Sequence, residues 1–232
     1  MVFDKVAQQA QQPTQPAGQD IAITLYTDPL CCWSWVFQPV LQRLQESLDA
    51  RASWQLRMGG LIPNWSNFTD EANAVSKPAQ MGPVWMHAGQ IAVRPIQHQL
   101  WHLDPPVSSY PACIAVKCAQ LQWPAFGFQM QAALQTACME EGNNIARRDV
   151  LFNVATAFST REPAFSLSQF TKDFNEGRGA AALRADLDAV HADRITRFPS
   201  LLVRAHGSAL LIPGCNDYST IMDAISRLVP DL

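Results

Sequence analysis

The sequence predicts an α/β fold in which a long all-helical segment separates two groups of strands. An apolar strand pattern runs directly into an amphipathic helix over residues 21–48. Helical periodicity without a convincing strand then covers residues 61–177. A helix, two short apolar strands and a final helix follow. Strands at both ends of the chain, with helices packed on them, are typical of an α/β domain that carries an insertion.

Composition limits the class of protein. The 232 residues are 48% hydrophobic and 16% charged, which allows a sizeable core. The net charge is −3 without a run of like charges, so we expect no nucleic-acid partner. No stretch of about 18 apolar residues occurs, so we expect no membrane span. Residues 1–18 are rich in Gln, Ala and Pro and contain no secretory h-region. We therefore predict a flexible tail there and a cytoplasmic location.

The N-terminal elements follow from local patterns. Residues 21–26 form an apolar run that predicts a buried strand. The helix after it carries apolar residues at helical spacing, namely Phe37, Val40, Leu41, Leu44 and Leu48. Trp54, Leu56 and Met58 alternate with polar residues, which predicts a second strand that ends at Gly59 and Gly60.

The remaining elements are predicted from periodicity and turn signals. Within the helical segment, helices are predicted over residues 79–93, 108–121, 124–141, 148–158 and 166–175. A further helix is predicted over residues 180–193. The strand at residues 200–203 begins after Pro199, and His206–Gly207 predicts a hairpin turn into a strand at 209–212. The last helix is predicted over residues 218–228.

A cysteine stands at the first strand-to-helix junction, in the sequence Thr-Asp-Pro-Leu-Cys-Cys-Trp-Ser-Trp from Thr27 to Trp35. Free N–H groups and the positive end of the helix dipole stabilise an anion at such a position. Thiolate is the reactive form of cysteine, so we predict that Cys31 has a lowered pKa and acts as a nucleophile. The alternative is a half-buried cysteine that only begins a helix.

These residues resemble the DsbA branch of the thioredoxin superfamily. The strand followed by Asp-Pro-Leu-Cys-x-Trp-x-Trp carries the resemblance, and Pro39 lies eight residues after Cys31 as in many thioredoxin-like helices. Downstream, Arg-Phe-Pro-Ser-Leu-Leu-Val at residues 197–203 is similar to the family's cis-proline loop. The resemblance implies a thioredoxin-like domain at residues 19–60 and 178–232, a helical insertion domain at 61–177, and a cis-Pro199 opposite Cys31.

The resemblance also implies roles for individual residues. Members usually read Cys-x-Trp-Cys, whereas Ser34 holds the fourth position here. A hydroxyl cannot resolve a mixed disulfide, so the implied activity is monothiol exchange with protein thiols, disulfides or glutathione. Cys31, Ser34 and Pro199 are the expected catalytic residues. Trp33 and Phe198 are expected to bind substrate, with the Phe198 backbone unpaired and open to an extended peptide. We expect no tightly bound cofactor.

Two other functions stay open at this point. Kappa-class glutathione transferases and the related isomerases resemble this architecture, and Ser34–Trp35 matches the second half of their motif. An adaptor that delivers a regulator to the ClpXP protease also belongs to the resembling family. The loss of the second cysteine keeps such a non-catalytic binding protein open as an alternative.

The other candidate groups are weaker. Six cysteines without a signal peptide argue against a disulfide framework. Cys32 could resolve Cys31 only through a strained vicinal ring, and Cys215 only if the last strand returns to the same edge of the sheet. The cysteines on apolar helices are predicted to be core residues; these are Cys113, Cys118 and Cys138. His98 and His102 have the spacing of a helical metal pair but no third ligand, so no metal is expected. Several tryptophans, including Trp65 and Trp85, either line a cleft or anchor the core.

Overall fold

The computed structural model describes residues 21–230, in which a four-stranded sheet is combined with helices. The strands are β1 (Ile21–Thr27), β2 (Ala52–Met58), β3 (Ser200–Ala205) and β4 (Ser208–Pro213). The helices are α1 (Cys32–Leu48), α2 (Met81–Ile91), α3 (Leu100–Leu103), α4 (Tyr110–Gln122), α5 (Pro124–Gln135), α6 (Arg148–Arg161), α7 (Leu167–Asn175), α8 (Arg178–Ala192) and α9 (Tyr218–Leu228). The predicted flexible tail, residues 1–18, lies outside the described residues.

The sheet has the strand order β2-β1-β3-β4. β1 and β2 are parallel, whereas β3 is antiparallel to both β1 and β4. In this register Tyr26 lies beside Ser200, and Ser200 lies beside Pro213. One end of the sheet therefore brings together the end of β1, the start of β3 and the end of β4. This arrangement confirms the predicted α/β class.

The core is built around β1, whose side chains are buried because both faces of the central sheet are covered. Ile21, Ile23 and Leu25 are at most 3% exposed. α1 contributes Phe37 and Leu44 to the same core. A strand that is buried on both faces is expected to be a nearly continuous apolar run, without regular alternation of apolar and polar residues.

The stretch between β2 and β3 is helical, as the sequence predicts, apart from one isolated bridge between Asp70 and Val75. The predicted helix at 124–141 is divided, since α5 ends at Gln135 and Thr136–Glu140 form a π-helical turn. Phenylalanine rings pack edge to face between α5, α6 and α7. No helix in residues 21–230 has the combination of length and apolarity that crossing a membrane requires.

The His98–His102 pair does not form a helical metal site. His98 lies in the turn before α3, and only His102 belongs to that four-residue helix. Across residues 21–230, no group of three or more His, Cys, Asp or Glu side chains is arranged to hold a metal ion.

One buried ion cluster fixes the end of β2. Asp186 on α8 is 1% exposed and pairs with Lys117 at 2.7 Å and Arg57 at 2.9 Å. Its other hydrogen bond comes from the Met58 backbone N–H at 2.8 Å. Burial lowers the pKa of the Lys117 amine, and the Asp186 carboxylate opposes that shift. The cluster therefore attaches α4 and α8 to the strand that leads to the candidate site.

Candidate active site

Cys31 occupies the N-cap position of α1. Its backbone is extended (φ −81°, ψ 108°), and its carbonyl accepts from the N–H groups of Ser34 at 3.1 Å and Trp35 at 3.3 Å. The Cys31 N–H donates to the Asp28 carbonyl at 3.0 Å, which closes a tight turn after β1. A non-helical N-cap residue is the usual way for a strand to pass into a helix, so the sulfur is placed at the start of α1.

The opposite wall of the site is the segment before β3. The Phe198–Pro199 peptide bond is cis, which confirms the prediction for this bond. The Cys31 Sγ donates to the Phe198 carbonyl at 3.4 Å, although 167 residues separate the two. The structure therefore brings Cys31 and the predicted proline loop together. The expectation that the Phe198 backbone is unpaired is wrong for its carbonyl, because the thiol already occupies it.

Gly59 lets the Phe198 ring approach the end of β2. A Cβ at position 59 would lie 2.2 Å from the Phe198 Cζ. Real Cβ atoms do not tolerate such a contact, so any larger residue at this position would displace the ring. The second glycine, Gly60, adopts φ +61°, a conformation that favours glycine.

The electrostatics of Cys31 differ from the sequence prediction. Burial raises the pKa of its thiol from 9.0 to about 11. The Ser34 hydroxyl and the backbone N–H groups of Ser34 and Trp33 oppose the rise, and the charge of Asp28 adds to it. The prediction of a lowered pKa is wrong because Cys31 is only 5% exposed, so loss of hydration outweighs the helix terminus. Cys31 is accordingly a thiol near neutral pH.

Ser34 lies one turn further along α1 and is 5% exposed. Its hydroxyl is close enough to Cys31 to lower the pKa of the thiol. The Ser34 oxygen nevertheless has no well-aligned hydrogen-bond partner among the described residues. Ser34 therefore keeps the capacity to bond to a group that enters the site.

Asp28, which directly follows β1, accepts the hydrogen bonds that fix the loop of Cys31. Its Oδ1 accepts from the Leu30 N–H at 2.9 Å, and its Oδ2 accepts from the Leu61 N–H at 2.6 Å. The Ser109 hydroxyl and the Cys113 thiol donate to the same Oδ2 at 2.8 and 3.3 Å. Burial raises the pKa of the carboxyl, and these donors oppose that rise. Asp28 thus joins the Cys31 loop to the loop after β2 and to α4.

The tryptophans separate into two groups. Trp33 is half-buried beside Cys31, and its ring meets His87 edge to face at 5.6 Å. Its predicted contact with substrate stays a prediction. By contrast, Trp85 and Trp101 are at most 1% exposed and pack at right angles, with Trp65 against Trp101. This second group anchors the core rather than lining a cleft.

The remaining cysteines are free thiols in the described residues. Those on apolar helices are fully buried, as predicted; they are Cys113, Cys118 and Cys138. Cys32 is 2% exposed, and burial raises its pKa well above the usual value. Cys215 is exposed and follows Gly214, whose N–H donates to the Pro199 carbonyl at 2.8 Å. The last strand does return to the edge that carries the proline, but resolution of Cys31 by Cys215 stays untested.

A central sheet with one parallel and two antiparallel neighbour pairs, a cysteine at the first helix N-cap and a cis-proline against its sulfur define a thioredoxin-type α/β protein. Comparison with known proteins agrees. The family model described as Thioredoxin matches residues 24–223, so the chain belongs to that family.

Solved structures with this fold include DsbA-type proteins. A protein from Nitrosomonas europaea, provisionally described as a protein disulfide isomerase, superposes with a TM-score of 0.74 and 20% identity, covering 91% of this chain and 98% of its own. The cytosolic disulfide reductase DsbM from Pseudomonas aeruginosa gives a TM-score of 0.68 at 20% identity, with 90% of this chain and 100% of DsbM covered. DsbM has also been solved with GSH. At such identities the likeness establishes the fold.

Sequence relatives carry a different kind of name. The ClpXP adapter protein SpxH from Halalkalibacterium halodurans is 23% identical over 193 residues, which are 83% of this chain and 61% of the relative. The SpxH protein from Bacillus subtilis is 22% identical over 219 residues, 91% of this chain and 68% of the relative. The chain therefore spans about three fifths of the length of the first of these adaptors.

Proposed function

We propose that the protein is a monothiol thiol–disulfide exchange enzyme of the DsbA type, with Cys31 as its nucleophile. The observation that carries this proposal is the 3.4 Å contact between the Cys31 sulfur and the carbonyl that precedes the cis-proline. This contact places the Phe198 carbonyl next to the sulfur, where a substrate backbone could replace the thiol as its hydrogen-bond donor. The solved DsbM and its complex with GSH support exchange in the cytoplasm with glutathione as a second thiol.

The exchange conserves the number of disulfides. The Cys31 sulfur loses its proton and attacks one sulfur of a substrate R–S–S–R, and the departing thiolate leaves as R–SH after taking up a proton. A glutathione or protein thiol then attacks the substrate sulfur of the mixed disulfide, which releases the Cys31 thiol and a new disulfide. Ser34 cannot replace that second thiol, so in this scheme the second thiol comes from glutathione or another protein.

Substrate docking has to activate the buried thiol. In the free protein the Cys31 thiol donates to the Phe198 carbonyl, a bond that only the protonated sulfur makes. A peptide N–H from the substrate would compete for this carbonyl, as in β-strand addition. Loss of that acceptor removes one contribution that favours the thiol. The Ser34 hydroxyl and the N–H groups at the start of α1 remain to stabilise the thiolate.

The test is site-resolved trapping of the mixed disulfide. The protein is incubated with oxidised glutathione, acid-quenched and mapped by mass spectrometry, and Cys31→Ser and Cys215→Ser are treated in parallel. We expect glutathione on Cys31 in the wild type and in Cys215→Ser, with release by added thiol. Cys215, the exposed cysteine, is the matched control for unspecific modification. Modification confined to Cys215 would overturn the proposed activity.

A second candidate is a non-catalytic adaptor. The relatives named ClpXP adapter proteins support it, and so does the raised pKa of the Cys31 thiol. α2, whose His87 contacts Trp33, also exposes apolar side chains, with Met86 at 49% and Ile91 at 55% exposure. Exposed apolar groups near a site are suited to a protein partner.

The adaptor candidate makes a distinct prediction. Added to ClpXP from the same organism, the protein would accelerate degradation of a regulator, and Cys31→Ala would leave that acceleration unchanged. Met86→Asp with Ile91→Asp would reduce it. If Cys31→Ala abolished the effect, or if no acceleration occurred, exchange would remain the better explanation.

A further inference from the structure

A cavity lies next to the candidate active site and shares lining residues with it. A cavity of about 180 Å³ lies between β1, α1 and α5, and both Ser34 and Pro199 line it. Its polar lining is contributed by hydroxyl and amide side chains, which are Thr27, Ser34, Gln38, Gln42, Gln45, Gln131 and Gln135. The site of disulfide exchange and this cavity therefore share two residues.

Three of these side chains are more than nine-tenths buried and have polar atoms without a partner. Gln131 is 6% exposed, and neither its Oε1 nor its Nε2 makes a hydrogen bond within the described residues. Gln135 is 1% exposed and uses its Oε1 to accept from Gln38 at 2.6 Å, but its Nε2 has no partner. The Ser34 hydroxyl has no well-aligned hydrogen bond, although it lies close enough to Cys31 to lower the pKa of that thiol. Buried polar groups are nearly always hydrogen-bonded, and what sets these atoms apart is that their side chains line the cavity that Ser34 and Pro199 share.

The polar lining is uncharged, which restricts the ligand. An ionised carboxylate or ammonium group would lose its hydration without meeting an opposite charge. The Arg94 guanidinium donates to the Gln38 Oε1 at 3.4 Å, but the charge of Arg94 is paired with Glu140. A neutral ligand that both donates and accepts hydrogen bonds matches the lining.

The amide geometry of Gln131 limits which neutral ligand fits the cavity. Its free oxygen and free amino group lie side by side on one planar amide, as in every glutamine. A primary carboxamide presents the same pair on one edge, so the two amides can form two hydrogen bonds with each other. A trans peptide bond points its N–H and C=O in opposite directions and cannot do so.

We propose that this cavity is a specificity subsite for a primary carboxamide, such as an Asn or Gln side chain, carried by the disulfide substrate. The proposal rests on the exchange function of Cys31 proposed above. Ser34 lies about 5 Å along the helix from Cys31, so a short arm on the substrate sulfur enters the cavity beside it. The free polar atoms of Gln131 and Gln135 have almost no accessible surface in the free protein, so both amides turn toward the cavity when they bind the carboxamide.

The experiment compares symmetric alkyl disulfides that differ only in the group at the end of the arm. The three end groups are a primary carboxamide, an N,N-dimethylamide and a carboxylate, with arms of two to five methylenes. Rates of adduct formation at Cys31 are measured by mass spectrometry and divided by the rates of the same probes with free glutathione. Each hydrogen bond contributes about threefold to tenfold, so at the best arm length the primary carboxamide should react at least about tenfold faster than either analogue.

Variants of α5 then locate the effect. Gln131→Leu should bring the three rates to within about twofold of each other, while the exposed Gln129→Leu on the same helix should keep the preference. Thermal unfolding verifies that both variants fold. The wild-type rate ratio needs no variant, so the test survives a variant that does not fold.

The outcomes separate the two proposals. Equal rates for all three probes in the wild type, with normal exchange at Cys31, would overturn the subsite and mean that the cavity holds water only. A preference that persists in Gln131→Leu would also overturn it. No adduct at Cys31 with any probe would overturn both the exchange function and the subsite.

Discussion

Cys31 should react slowly with an alkylating reagent in the free protein at neutral pH. Burial raises the pKa of its thiol from 9.0 to about 11. At pH 7 this shift reduces the thiolate fraction about a hundredfold relative to an ordinary thiol. Because only thiolate reacts, the rate at Cys31 should rise about tenfold with each pH unit from 7 to 10 and should not level off near pH 9.

The assay is timed labelling with iodoacetamide, quantified for each cysteine by mass spectrometry. The same chain unfolded in urea provides the reference thiol. Restricted access slows labelling by one factor at all pH values, whereas the raised pKa moves the pH at which the rate levels off from about 9 to about 11, so the two effects can be separated. A rate at pH 7 that equals or exceeds the unfolded reference, or a plateau below pH 9, would refute the reasoning and restore a stabilised thiolate.

The same shift affects folding stability. A thiol whose pKa is higher in the folded than in the unfolded protein binds its proton more tightly when folded. It therefore contributes about 3 kcal/mol of stability below pH 9, which is lost as the pH rises through about 11. The difference in unfolding free energy between wild type and Cys31→Ala should shrink over that window.

Ser34 provides matched variants for the iodoacetamide labelling assay. Its hydroxyl lowers the pKa of Cys31, so Ser34→Ala should slow labelling several-fold at pH 8. Ser34→Cys should allow an internal disulfide with Cys31, seen as loss of both alkylation sites until a reductant is added. Faster labelling in Ser34→Ala would contradict the role given to the hydroxyl.

Two further variants test the framework that holds the site. Asp186→Asn should lower the free energy of unfolding by about 3–5 kcal/mol in urea titrations, because it leaves the buried Lys117 without its charge partner. Asp188→Asn, exposed on the same helix, is the control and should have little effect. Gly59→Ala should lower the free energy of unfolding by about 1–3 kcal/mol, since the new Cβ would displace the Phe198 ring. The same displacement should change the rate of labelling at Cys31. A Gly59→Ala protein with wild-type stability and labelling would contradict that contact.

Features that depend on neighbouring residues could be predicted from the sequence. The last helix is predicted over residues 218–228 and is observed at Tyr218–Leu228. The hairpin at His206–Gly207 was predictable because a two-residue type I′ turn needs positive φ at both positions, which glycine favours, and both residues adopt it. The place of Cys31 at a helix start and the cis state of Pro199 followed from the motif and the family resemblance.

Features that depend on distant residues could not be predicted. The pKa of Cys31 is set by burial, which no local pattern reveals. The partners of Asp28 come from Leu61, Ser109 and Cys113, up to 85 residues away. The cavity lined by Gln131 and Gln135 was not predicted either. A sequence signal for it existed, because two glutamines four residues apart interrupt the apolar helix around Met130 and Leu134.

Asp28 both holds the loop of Cys31 in place and adds to the effect of burial on the pKa of its thiol. Its four donors hold the Cys31 loop against α4, and the same negative charge raises the pKa of the Cys31 thiol. The group that holds the loop therefore adds to the burial that keeps Cys31 a thiol in the free protein. A second cysteine could offset this by storing a disulfide, but Ser34 stores none. In the exchange proposed above, activation then comes from the substrate, which competes for the Phe198 carbonyl while the Ser34 hydroxyl stabilises the thiolate.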